Sequence, residues 1–325
     1  MQTNTTDLSQ GTIAAPEGGG LRRLWARIVR VLDDARLVPI LLVLPVLIFF
    51  IVWNVIPLLW MVGLSFYKYN ISLPHTLAFI GVENYVDIFT DRNVWQELSR
   101  TFVWVGVGVS VQTLLGMFLG FLFWGSKDMP GRRVALTLLF TPMIVTPVAA
   151  GLFFRLIYEP TFGIANWFTK SVFNTEVPFL QDTSIAFWSV LFVDIWMWTP
   201  FMILITLAAL GSIPKAELEA AEIDRLSWWA RFRHVILPNG KFILMLGILL
   251  RTIDSFKTLD LVYLMAVPGK TTKLAAVSLR EQAFDATEVG SSSALAIILL
   301  LTAIAFTSVY LYILNLNSQK QEVVQ

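Results

Sequence analysis

Three ionisable residues stand inside otherwise apolar stretches of the sequence: Asp194, Arg251 and Asp254. A charge in a bilayer core is costly unless it pairs or lines a wet cavity, so each is a site candidate. Arg251 and Asp254 are three residues apart, on one helix face, where they can form an ion pair. Such a pair either neutralises itself near a helix end or offers hydrogen bonds to a polyhydroxylated ligand. Asp194 is followed by Trp196 and Trp198. It reads either as an anchor at headgroup depth, where tryptophan concentrates, or as an acceptor beside the flat apolar face a sugar ring needs. Phe256 extends the same candidate path. The two histidines, His75 and His234, fall in loops on opposite sides of the topology derived below and cannot form a metal or acid–base pair. No Ser/His/Asp set survives that topology either. There is no cysteine, which removes disulfides, thiolate metal sites and thiol chemistry. The sequence therefore predicts no catalytic, cofactor or metal residue, and no enzyme.

The elements that position these residues follow from the charge pattern. The chain has 325 residues, 56% hydrophobic and 14% charged, where a soluble domain carries about 25% charged residues. No charge occurs between Arg36 and Lys68, Arg100 and Lys127, Arg133 and Arg155, or Glu288 and Lys320. A bilayer core needs about 20 helical residues. These gaps predict an all-α polytopic membrane protein with six spans, at about 38–63, 101–124, 134–155, 184–210, 242–265 and 291–314. Backbone groups in lipid must bond within each segment, which requires helices; the runs do not alternate as barrel strands do. Gly116 and Gly120, with Gly106 and Gly108 above them, suit close helix packing in the second span. Pro142 and Pro147 predict a bend in or near the third. Lys and Arg favour the side holding both termini and the 211–241 loop by fourteen to ten, which places that side in the cytoplasm. The organisation expected is a basic, disordered tail over 1–36, a membrane domain over 37–315 with a cytoplasmic loop at 211–240, and a tail over 316–325. The tail lacks the order of a cleaved signal. The net charge of +1 and the absence of a basic tract argue against a nucleic-acid partner.

The loop is patterned. Residues 219–238 read EAAEIDRLSWWARFRHVILP, acidic early and basic late, with Ala220, Ala221, Leu226, Trp229 and Phe232 as apolar surface. Pro214 can open a helix, early acids suit its positive end, and Pro238 is expected to stop the run before the fifth span. One or two short amphipathic helices would present a surface either to lipid headgroups or to a partner protein.

The stretch resembles the cytoplasmic EAA loop of the membrane subunits of ABC importers, in particular the maltose-type sugar permeases. Glu219, Ala220 and Ala221 match its opening, Asp224 its aspartate, and Phe232, Val235, Leu237 and Pro238 its close. Arg225 stands where the family usually has glycine, so the turn there is expected to use ordinary backbone angles. Segments 79–91, 131–167, 194–214 and 254–269 are similar to other parts of the same permeases, although Ala266-Val267-Pro268-Gly269 replaces their usual Gly-Gly-Pro. The resemblance implies a six-helix importer permease in the bacterial inner membrane, carrying a sugar or related polyol, or else another small solute class. It implies a second homologous permease subunit, two ATP-binding subunits docked on the coupling loop, a periplasmic or lipid-anchored solute-binding protein, membrane lipids, and a small neutral polyhydroxylated substrate. ATP would be hydrolysed on the separate subunits, because no G-x-x-x-x-G-K-[S/T] phosphate loop occurs in this chain.

Overall fold

The computed structural model describes residues 37–124, 130–265 and 272–322. The basic tail over 1–36 and the 266–269 loop named above lie outside them, as do residues 125–129 and 323–325. The chain divides into two units at Gly63. The described part of the first is one apolar helical run: α1 (Leu37–Phe50), a π turn (Ile51–Val55) and α2 (Ile56–Leu64). Its large side chains, Ile48, Phe49 and Trp60 among them, are exposed around the helix, as a lipid-facing span requires.

The second unit opens with an antiparallel hairpin, β1 (Tyr67–Asn70) and β2 (Leu73–Phe79), which the sequence reading did not anticipate. Asn84 on α3 (Glu83–Thr90) supports it, donating to the Ser65 and Tyr67 carbonyls at 2.8 and 3.0 Å. The expected second span is α4 (Arg92–Trp124), which begins nine residues before the apolar run because its first turns pack on Ala275 and Leu295 through Val94 and Leu98. The third span is broken: α5 (Arg132–Ile144) and α6 (Pro147–Ile157) meet at 98°. Pro147 has no amide hydrogen to continue α5, and Thr146 caps the new helix by accepting from the Ala149 amide at 3.3 Å.

After α7 (Ile164–Phe173), Asp182 caps α8 (Thr183–Gly211), the fourth span; hydrogen bonds from Ser184 hold its carboxyl below the ordinary range. Then come α9 (Lys215–Ile223), α10 (Trp228–Arg231), a π turn (Phe232–Ile236) and α11 (Leu237–Phe256). Here the expectation needs correction. Pro238 does not stop the run, because Trp228–Phe256 is one continuous helix. A proline ring collides with the carbonyl four residues before it, and the wider π turn immediately upstream moves that carbonyl aside. The fifth span thus lies at 228–256, not 242–265, and α12 (Asp260–Met265) is separate. Helix α13 (Ala275–Arg280), a π turn (Glu281–Asp285) and α14 (Val289–Glu322) complete the described residues; Val289–Tyr312 of α14 is the sixth span, and the helix continues into the expected 316–325 tail.

The core forms where α4 and α8 approach closely. A Cβ built on Gly116 would stand 2.4 Å from the Met202 Cβ, and one on Gly120 2.6 Å from a Thr206 methyl. Gly247 on α11 meets Ile205 as closely, at 2.4 Å. Gly116 and Gly120 therefore serve contact between helix backbones, while Gly106 faces open space.

Candidate functional site

The close approach of α4, α8 and α11 brings four polar side chains together inside the membrane helices. Arg251 and Asp194 are each 1% exposed and pair at 2.5 Å through Nη2 and Oδ2. Gln112 on α4 joins them: Arg251 Nε donates to its Oε1 at 2.9 Å, and its Nε2 donates to Asp194 Oδ2 at 2.9 Å and to the Asp194 carbonyl at 3.2 Å. The remaining edge of the guanidinium donates from Nη1 to Asp254 Oδ2 at 2.9 Å. The Trp198 ring covers its face, with the centroid 4.9 Å from Cζ. Three helices thus satisfy one buried cation, which is the condition for keeping a charge out of water.

The expected Arg251–Asp254 pair is present. Asp194 is buried and bonded to Arg251 and Gln112. Phe256 packs edge-on against Phe102 and Phe306. Trp196 packs on Phe154. Beside the network lies a cavity of about 290 Å³ lined by Pro147, Asp194, Trp198, Asp254, Lys257 and Asp260, among others. Asp254, 52% exposed, is the member of the network that reaches open space. Gln112 was missed because an amide carries no charge; its signal was a lone long polar side chain in a charge-free span.

The loop after α8 is a second candidate. Helix α9 ends at Asp224, and Arg225 follows with φ 54°. The Leu226 amide donates to the Ala221 carbonyl and the Arg225 amide to the Glu222 carbonyl, both at 3.1 Å. This pattern requires a left-handed residue after the helix, the place where glycine is usual. The expectation of ordinary angles at Arg225 is therefore wrong: the two hydrogen bonds close the turn despite the side chain. Arg231 bridges α10 to α9, donating to the Leu218 carbonyl at 3.0 Å and to Glu222 at 2.7 Å. Asn239 donates to Glu217 at 2.5 Å, tying α9 to the start of α11. Ala221 is 4% exposed and buried within the chain, so it offers no docking surface, whereas Glu219, Ala220 and Asp224 are exposed. Phe232 stacks on Trp228, also meets Trp229, and meets Phe121 of α4 edge-on. Ile223, Trp228, Trp229 and Leu237 remain exposed, with Pro238 beside them.

Among the described residues five helices are long and apolar enough to cross a membrane, six with the broken pair counted as one span, as in a multi-pass membrane protein. Residues 112–317 match the family described as binding-protein-dependent transport system inner membrane component, and the chain belongs to that family. It is 29% identical over 272 residues to the trehalose/maltose transport system permease protein MalF of Thermococcus litoralis, covering 83% of this chain and 91% of the relative. The trehalose transport system permease protein SugA of Mycobacterium tuberculosis is 28% identical over 277 residues, covering 84% and 87%. A chain in the crystal structure of a bacterial alginate ABC transporter, in complex with an alginate pentasaccharide-bound periplasmic protein, shares the fold. Its TM-score is 0.74 at 19% identity, covering 89% of this chain and 96% of that one.

Proposed function

We propose that this chain is one of two permease subunits of an ABC importer for a neutral sugar or polyol, driven by ATP hydrolysis on separate subunits. The observation that carries the reading is the loop surface. Helices α9 and α10 are bonded to each other and to α11, yet leave Glu219, Ala220, Asp224 and Ile223 exposed, together with the larger parts of Trp228 and Trp229, which also meet Phe232. An ordered, half-apolar surface with unspent charges suits a groove on another protein. In this reading the loop and both termini face the cytoplasm, following the lysine and arginine bias. A solute-binding protein delivers the ligand at the opposite face. The names of the relatives support a disaccharide or a related polyhydroxylated solute.

Asp254 and the cavity beside it form part of the solute path in this reading. A carboxylate that holds one guanidinium edge keeps acceptor capacity for a hydroxyl, and Trp198 supplies an aromatic face. The reading is tested by calorimetry on the cognate binding protein with trehalose, maltose, glycerol and amino acids. ATP-dependent uptake of the same compounds is then measured in proteoliposomes. Binding and uptake of a sugar or polyol support it; binding of amino acids alone overturns the substrate class.

A further inference from the structure

The polar network is asymmetric. Asp254 is half exposed at the cavity, but the group that holds it, Arg251, is fully buried and fixed from behind by residues on two other helices. The fork of the guanidinium has three usable edges, and each is occupied by a different residue: Gln112, Asp194 and Asp254. The amide orientation of Gln112 follows from the same set, since Arg251 has no acceptor to offer and Asp194, as a carboxylate, has no donor. Gln112 must turn its oxygen to Arg251 and its nitrogen to Asp194, as it does. Gly108 lets α4 lie against α8 here, with its Cβ position 3.8 Å from Asp194 Oδ2. An exposed carboxylate facing one flexible arginine three residues away is weakly held by itself.

We infer that Gln112 and Asp194 are positioning residues for the solute path: acting through the Arg251 guanidinium, they fix the charge environment of position 254 at the cavity. The inference rests on the reading that Asp254 lines that path, and the test separates the two. If the backing residues set the place of Arg251, the guanidinium stays beside position 254 even when the carboxylate there is removed.

The chain has no cysteine, so Asp254→Cys gives this subunit a single thiol, whose modification is followed on this subunit after it is separated from the others by denaturing electrophoresis. A guanidinium held beside it favours the reactive thiolate. Modification by the neutral reagent methyl methanethiosulfonate at pH 7 is then expected to slow about tenfold when Gln112→Leu is added. The same loss is expected from adding Gln112→Glu, which draws the guanidinium back and sets two carboxylates together. Combining Gln112→Glu with Asp194→Asn relocates the single carboxylate, and the rate is expected to return to within about twofold of the starting value. Assembly is followed by size-exclusion chromatography; if the Gln112→Leu complex does not assemble, the Gln112→Glu comparison decides. Equal thiol rates with and without the change at Gln112 overturn the inference. Protection of the same thiol by trehalose or maltose reports the solute path separately. A rate that depends on Gln112 but is indifferent to all solutes imported by the complex sustains the positioning and removes the path.

Discussion

The buried cluster around Arg251 and the loop around Arg231 contain similar residues and spend them oppositely. In the cluster, the guanidinium is enclosed by Asp194, Gln112, Asp254 and the Trp198 face. In the loop, Arg231 also bridges two elements, through Leu218 and Glu222, but Glu219, Asp224, Arg225, Arg233 and two tryptophans are left exposed around it. Inside the membrane an unspent charge has nowhere to go, so the sequence can keep these residues only where the fold satisfies them. At the water boundary unspent charges are cheap and remain available for another chain. The contrast predicts that changes in the cluster fail by loss of folding, whereas most changes in the loop fail by loss of a partner.

The largest effect that would break this contrast is at Asp194. Asp194→Ala leaves Arg251 buried with one fewer counter-charge, a loss of roughly 3–5 kcal/mol, and the assembled protein should nearly vanish from detergent extracts. Removing both charges, with Asp194→Leu and Arg251→Met, should recover much of the abundance without recovering transport. Normal yield of the single variant would show that the cluster is not buried as described.

Gly116→Ala tests the packing that holds the cluster together, one turn beyond Gln112. The added methyl would stand 2.4 Å from the Met202 Cβ and 2.8 Å from its carbonyl carbon, so α4 must move. Overpacking of this kind costs about 1–3 kcal/mol, read as a lower melting temperature in detergent. Gly106→Ala, which meets open space, serves as the comparison and should melt with the parent.

Within the loop, Ala221 is the exception that sharpens the rule. It is buried in the chain itself, so Ala221→Trp should destabilise the α9–α10 turn by at least 1–3 kcal/mol, on the scale roughly seen for overpacked sites. Limited proteolysis of the isolated permease pair would show new cleavage between 215 and 231. Unchanged protection would place Ala221 at the surface after all.

The smallest expected effect is a gain. Arg225 occupies a left-handed conformation at φ 54°, which costs a non-glycine residue roughly 1–2 kcal/mol. Arg225→Gly should relieve it, although glycine returns about 0.5–1 kcal/mol through its freedom in the unfolded chain. A net stabilisation of about 1 kcal/mol or less, measured as resistance of the loop to proteolysis, is expected. A clear loss would mean that the arginine side chain itself holds the turn.

The two regions also differ in how far the sequence exposes them. Five of the crossings and the short helix α9 of the loop follow from local pattern: charge-free runs and early acids. Pro147 marks the break between α5 and α6 in the same local way. The cluster does not follow, because its partners are 57 and 139 residues apart in the chain and one of them is an uncharged amide. Spacing along a helix could reveal only the pair of Arg251 with Asp254. The start of the fifth helix misled for a different reason: proline ends helices by default, and only a π turn at Phe232–Ile236, invisible in composition, lets this one continue. At Arg225 the residue type argued for ordinary angles, and the capping hydrogen bonds of Leu226 and Arg225 prevailed over it.

The central claim is that the exposed part of the 211–240 loop docks a separate ATP-binding subunit and carries its work to the spans. Ala220→Trp and Glu219→Lys alter that surface while leaving the internal bonds of Arg231 and Asn239 in place. The direct measurement is co-purification of the ATP-binding subunit with each variant, together with solute-stimulated ATP hydrolysis in reconstituted membranes. The account predicts that both variants assemble as a permease pair, lose the ATP-binding subunit or its stimulation, and leave ligand binding by the solute-binding protein untouched. Normal co-purification and normal stimulation in both would contradict it.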